Sequence, residues 1–169
     1  MTKRNVMICI STSRIEVGVD LFDSDTDEVD EEELTEEPTG EMPEPTDLLT
    51  EGRLVTSPTR VELIYDETEF SGMEGSVTSI GFDRLHPEMI SMMRSGPVST
   101  AMIFEEGKRH MSVFDTPFSS FQICTRTLHV ENKLLTDGTI FLEYIIEIHG
   151  AQAERCRMQI SVRNDEKLF

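Results

Sequence analysis

Val6, Ile8 and Ile10 alternate with Met7, Cys9 and Ser11, which is the period of a half-buried strand. This predicts a first strand over residues 5–16, with Val17 and Val19 able to prolong it. Alternation resumes at residues 48–56, closed by Ser57-Pro58, and again at 60–66, where Val61, Leu63 and Tyr65 share a face. A Gly-rich break at residues 71–75 leads into a strand at 76–82, and His86-Pro87 opens another at 88–94. Residues 93–118 then read as strand, Gly-Pro turn, strand, Glu-Glu-Gly turn, strand and Thr-Pro turn. Val98, Met102 and Phe104, then Met111 and Val113, are the predicted inward positions of strands 98–105 and 108–114.

Three further segments, 118–130, 139–149 and 152–163, complete the set. Leu142, Tyr144, Ile146 and Ile148 face one way and Glu143 and Glu147 the other, while Met158, Ile160 and Val162 repeat the pattern against Arg157, Gln159 and Arg163. Gly150 between them suits a tight hairpin, and the outer charges are opposite in sign across it. In 118–130, Phe121, Ile123 and Thr125 share one face but Leu128 and Val130 share the other. One unbroken strand would send one group outward, so a bulge or sharp bend is predicted near Thr127. No amphipathic helix is predicted. Strands spaced by about 8–12 residues indicate an all-β sandwich or barrel. The bend, and the removal of exposed edges by closure, favour a single antiparallel meander barrel of about eight to ten strands.

Charge changes this picture at one place. Of the formal −18, about −14 lies between Asp20 and Asp47, where no Lys or Arg occurs. Three prolines and few apolar residues complete a segment that cannot bury enough surface to offset its ordering entropy. It is expected to be a disordered insertion of residues 20–47 in a hairpin loop, leaving a near-neutral barrel of residues 5–19 and 48–163; the alternative is a linker with the first strand as a mere tail. No basic footprint of a nucleic-acid binder is present. The apolar run Val6 to Ile10 is shorter than the roughly 7–15 residues of a secretory core, and nothing approaches the roughly 18 of a membrane span. Cys9, Cys124 and Cys156 are odd in number and far apart, as in a cytoplasmic protein with free thiols.

Candidate chemistry is sparse. His86, His110, His129 and His149 lack the spacing that places two imidazoles on one metal, and no nucleophile elbow occurs. Asp23-x-Asp25-x-Asp27 starts like a calcium loop, but Glu28 and Leu34 stand where that loop needs Gly and Glu. No catalytic residue, metal or cofactor is therefore expected. Arg94 closes a strand otherwise made of Met89, Ile90, Met92 and Met93. It either pairs with a carboxylate such as Glu67 or Glu88, or presents its fork to a ligand's carboxylate or phosphate. Tyr65 and Tyr144 are either hydrogen-bonded core residues or polar handles inside the barrel. Met89, Met92, Met93, Met102, Met111 and Met158 fill gaps in the core or line an adaptable pocket.

The ordered set Arg60-Val61-Glu62-Leu63-Ile64-Tyr65-Asp66-Glu67, Gly72-Met73-Glu74-Gly75, Met93-Arg94-Ser95-Gly96, Met102-Ile103-Phe104-Glu105-Glu106-Gly107, Thr116-Pro117-Phe118 and Leu142-Glu143-Tyr144 resembles the YwiB-like family of small bacterial proteins of unknown function. The resemblance spans residues 48–163 and implies a lipocalin-like, calycin-type β-barrel. It carries no catalytic residues over. The acidic segment and Ser119, where Gly is common, depart from the family pattern, and the absence of Trp removes the Gly-x-Trp hallmark of true lipocalins. Two functions follow as expectations. One is a cytoplasmic, non-enzymatic barrel that binds a small apolar or amphipathic ligand through Arg94, Tyr65, Tyr144, Met93 and Met102. The other is an interaction module whose acidic insertion contacts a basic protein partner.

Overall fold

In the computed structural model, which describes residues 1–22 and 42–164, the first strand does more than its length predicts. β1 (Thr2–Glu16) turns Val6, Ile8 and Ile10 into the interior and pairs antiparallel on both edges. One edge runs against β10 (Glu154–Asn164), from Val6↔Asn164 to Glu16↔Glu154. The other runs against β2 (Thr46–Thr56), from Thr2↔Thr56 to Thr12↔Thr46. The remaining strands are β3 (Arg60–Asp66), β4 (Val77–Asp83), β5 (Met89–Ser95), β6 (Ser99–Glu105), β7 (Arg109–Asp115), β8 (Ser120–Lys133) and β9 (Thr139–Ile148). All ten form one closed antiparallel meander in chain order, with β1 beside β10. Among the described residues, a single turn of 3₁₀ helix (Glu69–Ser71) and α1 (Leu134–Asp137) are the helical elements. Among the described residues no helix is long and apolar enough to cross a membrane.

Alternation places Val61, Leu63, Ile80, Ile90, Phe104 and Ile140 in one interior cluster with the β1 residues. Gly52 on β2 permits the tightest contact of that wall. A methyl group there would lie 2.5 Å from Ile8 Cδ1 and 2.7 Å from the Ile64 carbonyl oxygen. The bend predicted near Thr127 is a bulge: Thr127 faces Tyr144 and His129 faces Glu143, so Leu128 is the extra residue. Ile123 and Thr125 point inward before it, and Val130 packs against the interior after it. On the outer face of β9 and β10, Glu143 accepts from Arg157 Nε at 2.8 Å and from Arg155 Nε at 3.1 Å, as the opposed charges required.

Three expectations change. Met111 and Val113 point outward and are exposed, so the inward face of β7 is His110, Ser112 and Phe114. The connection from β9 to β10 spans residues 149–153 and is not a two-residue turn. Val17 and Val19 do not extend β1. Residues 17–22 instead fold over the outside of the barrel, where fully buried Leu21 meets Cys124, Ile145 and Ala153, with Leu128 against them. Val17 N–H donates to the Ala153 carbonyl at 2.9 Å, Leu21 N–H to Glu147 Oε2 at 2.6 Å, and Arg109 Nη1 to the Leu21 carbonyl at 2.8 Å. Both faces of β9 are thereby covered, and Glu147 is buried although it points away from the barrel interior. Of the insertion expected to be disordered over residues 20–47, residues 20–22 belong to this outer layer and Thr46 and Asp47 open β2, while residues 23–41, with the calcium-like start and most of the acidic charge proposed for docking, lie outside the described residues.

Leu21→Ala is expected to cost about 2 kcal/mol, the low end for a buried leucine, because this outer cluster is thin enough to collapse. Urea denaturation measures the loss. Hydrogen exchange should quicken at the Val17 and Leu21 amides while the amides of β9 stay protected.

Candidate functional site

Register carries one row of inward side chains across five neighbouring strands. Tyr65 on β3 faces Thr78 on β4, Thr78 faces Arg94 on β5, Arg94 faces Thr100 on β6, and Thr100 faces Phe114 on β7. Glu67, just beyond β3, is drawn in by its N–H, which donates to the Ser76 carbonyl at 2.8 Å. Arg94 Nε donates to Thr78 Oγ1 at 3.0 Å and Nη2 donates to Glu67 Oε1 at 3.2 Å. Thr78 Oγ1 donates to the same carboxylate oxygen at 2.6 Å. The Glu67 side chain is 2% exposed and that of Arg94 13%. This is a buried ion pair closed by a hydroxyl, and its net charge is zero.

A second row continues round the other wall. Arg14 on β1 faces Cys156 on β10, Cys156 faces Tyr144 on β9, and Tyr144 faces Thr127 on β8. Tyr144 stacks obliquely on Phe104 with ring centroids 4.7 Å apart. Burial, then the neighbouring Cys156 thiol, pushes its phenol up. Burial, then the Glu67 charge, pushes Tyr65 up to about 12, and burial pushes the Cys156 thiol up to about 11. These shifts oppose the ionised, nucleophilic forms that covalent catalysis uses. Among the described residues no three His, Cys, Asp or Glu side chains converge as metal ligands would.

Above the rows a cavity of about 830 Å³ opens at the barrel end from which the β1–β2 connection leaves. Ile10, Leu48, Met92 and Met158 give it apolar walls, and Tyr65, Glu67 and Arg94 are among its polar lining. The structure therefore brings Arg94 and Tyr65 together at one mouth. It answers the question of Arg94's partner with Glu67, while Glu88 lies exposed beside His86. Tyr144 is buried in the packed interior. Met102 points inward but lines a separate lateral slot with Arg94. Met93 is a correction: it is 53% exposed on the outer face, because neighbouring residues of a strand alternate and Met92 takes the inward place. The same correction applies to Met89 and Met111. Met92 and Met158, two of the methionines expected in the core or a pocket, line the site, and Thr78 and Arg14, which the pattern does not mark, belong to it as well. Each is an ordinary strand residue until the pairing register is known.

Removing Arg94 leaves a buried carboxylate with only the Thr78 and Tyr65 hydroxyls for company. Arg94→Leu is expected to destabilise by about 3–5 kcal/mol, and the double variant with Glu67→Gln to recover most of that loss, measured by urea denaturation. The phenols predict a second outcome. A folded Tyr65 that titrates above the usual value of 10.0 contributes stability that is complete below that pH and lost as pH climbs towards about 12. Denaturation midpoints measured across that window should fall less steeply in Tyr65→Phe than in the parent chain.

Residues 31–160 match the family described as Domain of unknown function (DUF1934). No curated protein matches the chain. Among solved structures, the crystal structure of the ywiB protein from Bacillus subtilis is similar, with a TM-score of 0.63 and 14% identity over 96% of this chain and 94% of that one. At that identity the likeness concerns the fold, and it agrees with the resemblance carried by residues 48–163. The chain belongs to the DUF1934 family of domains of unknown function, in the YwiB-like barrel fold.

Proposed function

We propose that the mouth of the barrel binds a small amphipathic molecule with an uncharged polar head. The observation that carries this reading is the cavity of about 830 Å³ with methionine walls and a neutralised ion pair among its lining residues. Ligand sites commonly enclose about 300–1,000 Å³ of mostly apolar surface with a few convergent polar groups. Met92 and Met158 supply apolar surface that adapts to shape. Thr78 and Glu67 occupy the Nε and Nη2 donors of Arg94 and Glu67 neutralises its charge, so a carboxylate or phosphate head would give up its hydration without gaining an unpaired cation. Arg94 Nη1, which donates to no other described residue, remains for an uncharged acceptor, beside a Tyr65 hydroxyl held by hydrogen bonds to Glu67 and Thr78.

Native mass spectrometry of freshly purified protein tests the reading, together with an amphipathic fluorescent probe added to stripped protein. A bound small molecule, or saturable probe fluorescence that falls at least tenfold in affinity in Met158→Trp, is the expected result. A ligand-free mass combined with no saturable probe binding rejects it.

A further inference from the structure

The barrel wall has a seam. β6 and β7 are joined by a short turn, yet they pair only at Ser99↔Asp115 and Thr100↔Phe114, at the end remote from that turn. From Ala101 to Glu105 and from Arg109 to Val113 the facing edges carry no ladder. The turn is held elsewhere: Gly107 N–H donates to the Thr127 carbonyl at 2.9 Å, and Thr127 N–H to the Lys108 carbonyl at 3.1 Å. What opens between the strands is a slot of about 470 Å³ running from the outer surface at Ile103, Met111 and Val113 to Arg94 inside.

The slot contains polar atoms that the fold leaves unused. Thr100, 7% exposed, and Thr125, 2% exposed, both line it, and neither Oγ1 has a hydrogen-bond partner among the described residues. His110 Nε2, also in the lining, comes within 3.4 Å of Glu105 Oε2 without the alignment of a hydrogen bond. Buried hydroxyls are ordinarily paired, because leaving one without a partner costs its full desolvation. Two such hydroxyls in one slot point to an occupant.

Charge identifies the occupant's class. Arg94 is neutralised by Glu67, His110 stands against Glu105, and Asp115 accepts from Ser120 at the rim. A carboxylate entering the slot would give up its hydration without gaining an unpaired cation. A carboxamide offers a carbonyl oxygen that can accept from a hydroxyl, and N–H groups that can donate to a hydroxyl oxygen or an imidazole nitrogen. We propose that the slot between β6 and β7 binds the carboxamide group of a small neutral molecule, with its aliphatic part against Met102, Ile103 and Val113. The proposal is independent of ligand binding at the barrel mouth.

The test is a titration of butyramide, with butyrate as the charged counterpart, followed through the imidazole resonances of His110. His86, His129 and His149 serve as internal references. Saturable movement of His110 with butyramide, at least tenfold weaker with butyrate, is expected. Thr100→Val and Thr125→Val keep the side-chain shape, should melt no lower than the parent chain, and should each weaken butyramide binding about tenfold, the worth of one hydrogen bond. Met158→Trp, which fills the mouth, should leave the His110 response unchanged, so failure at one site is separable from failure at the other. No saturable response, equal response to butyrate, or unchanged binding in both valine variants overturns the proposal.

Discussion

Closure by β1 is the constraint on which the rest of this structure depends. A meander of ten strands left open would expose two edges, each a row of unpaired backbone groups. Pairing β1 with β10 and β2 at once removes both, and it converts the inward face into a bounded volume. Every inward side chain must then either fill that volume or satisfy its polar atoms within it. The aliphatic half, from Val6 and Ile8 through Phe104 and Ile140, fills it. The half nearer the β1–β2 connection holds tyrosines, threonines, two arginines and a glutamate, and the cavity of the mouth opens there.

A buried ion pair is poor evidence of added stability, since desolvation can cancel its attraction. Arg94 and Glu67 make better sense as a fixed arrangement than as a source of stability. The carboxylate receives two donors on one oxygen, which locks the guanidinium in place. That leaves a mouth with polar direction but no net charge. It also links the two cavities, because the Arg94 side chain borders both. Gly52 contributes from the opposite side: without its close approach, β2 could not pack on Ile8 and the backbone of β3 beside Tyr65.

Much of this was legible in the chain, and what was not has physical causes. Alternation locates all ten strands, and the clash between the two halves of β8 reveals the bulge, because a switch of face inside one strand requires an extra residue. Alternation does not by itself give the sign of a face when both are apolar. Met92 and Met93 are equally good candidates for the interior, and only pairing with Met102 and Ala101 decides between them. In β7 the apolar pair Met111 and Val113 lies outside while His110 and Ser112 face in, opposite to what hydrophobicity alone predicts. Glu147 is a further case: it faces outward, as its strand pattern requires, yet is buried because residues 17–22 cover it. Register, likewise, is what assembles Tyr65, Thr78, Arg94 and Thr100 into a row.

The bulge and the seam are parts of one irregularity. Leu128 is squeezed out of β8 between Thr127 and His129, and the turn between β6 and β7 docks at that place. Glu106 Oε1 contacts His129 Nδ1 at 2.7 Å and accepts from Val130 N–H at 3.2 Å, while Gly107 and Lys108 exchange hydrogen bonds with Thr127. Apart from Lys108 N–H, which closes the turn on the Glu105 carbonyl at 2.9 Å, backbone groups of the turn are thus committed to β8, and β7 goes with them. The switch of face that returns Val130 to the interior and the opening that exposes Thr100 and Thr125 to a slot therefore share a structural cause. A side chain that must turn a corner in a closed sheet has, in this barrel, left a gap in the wall beside it.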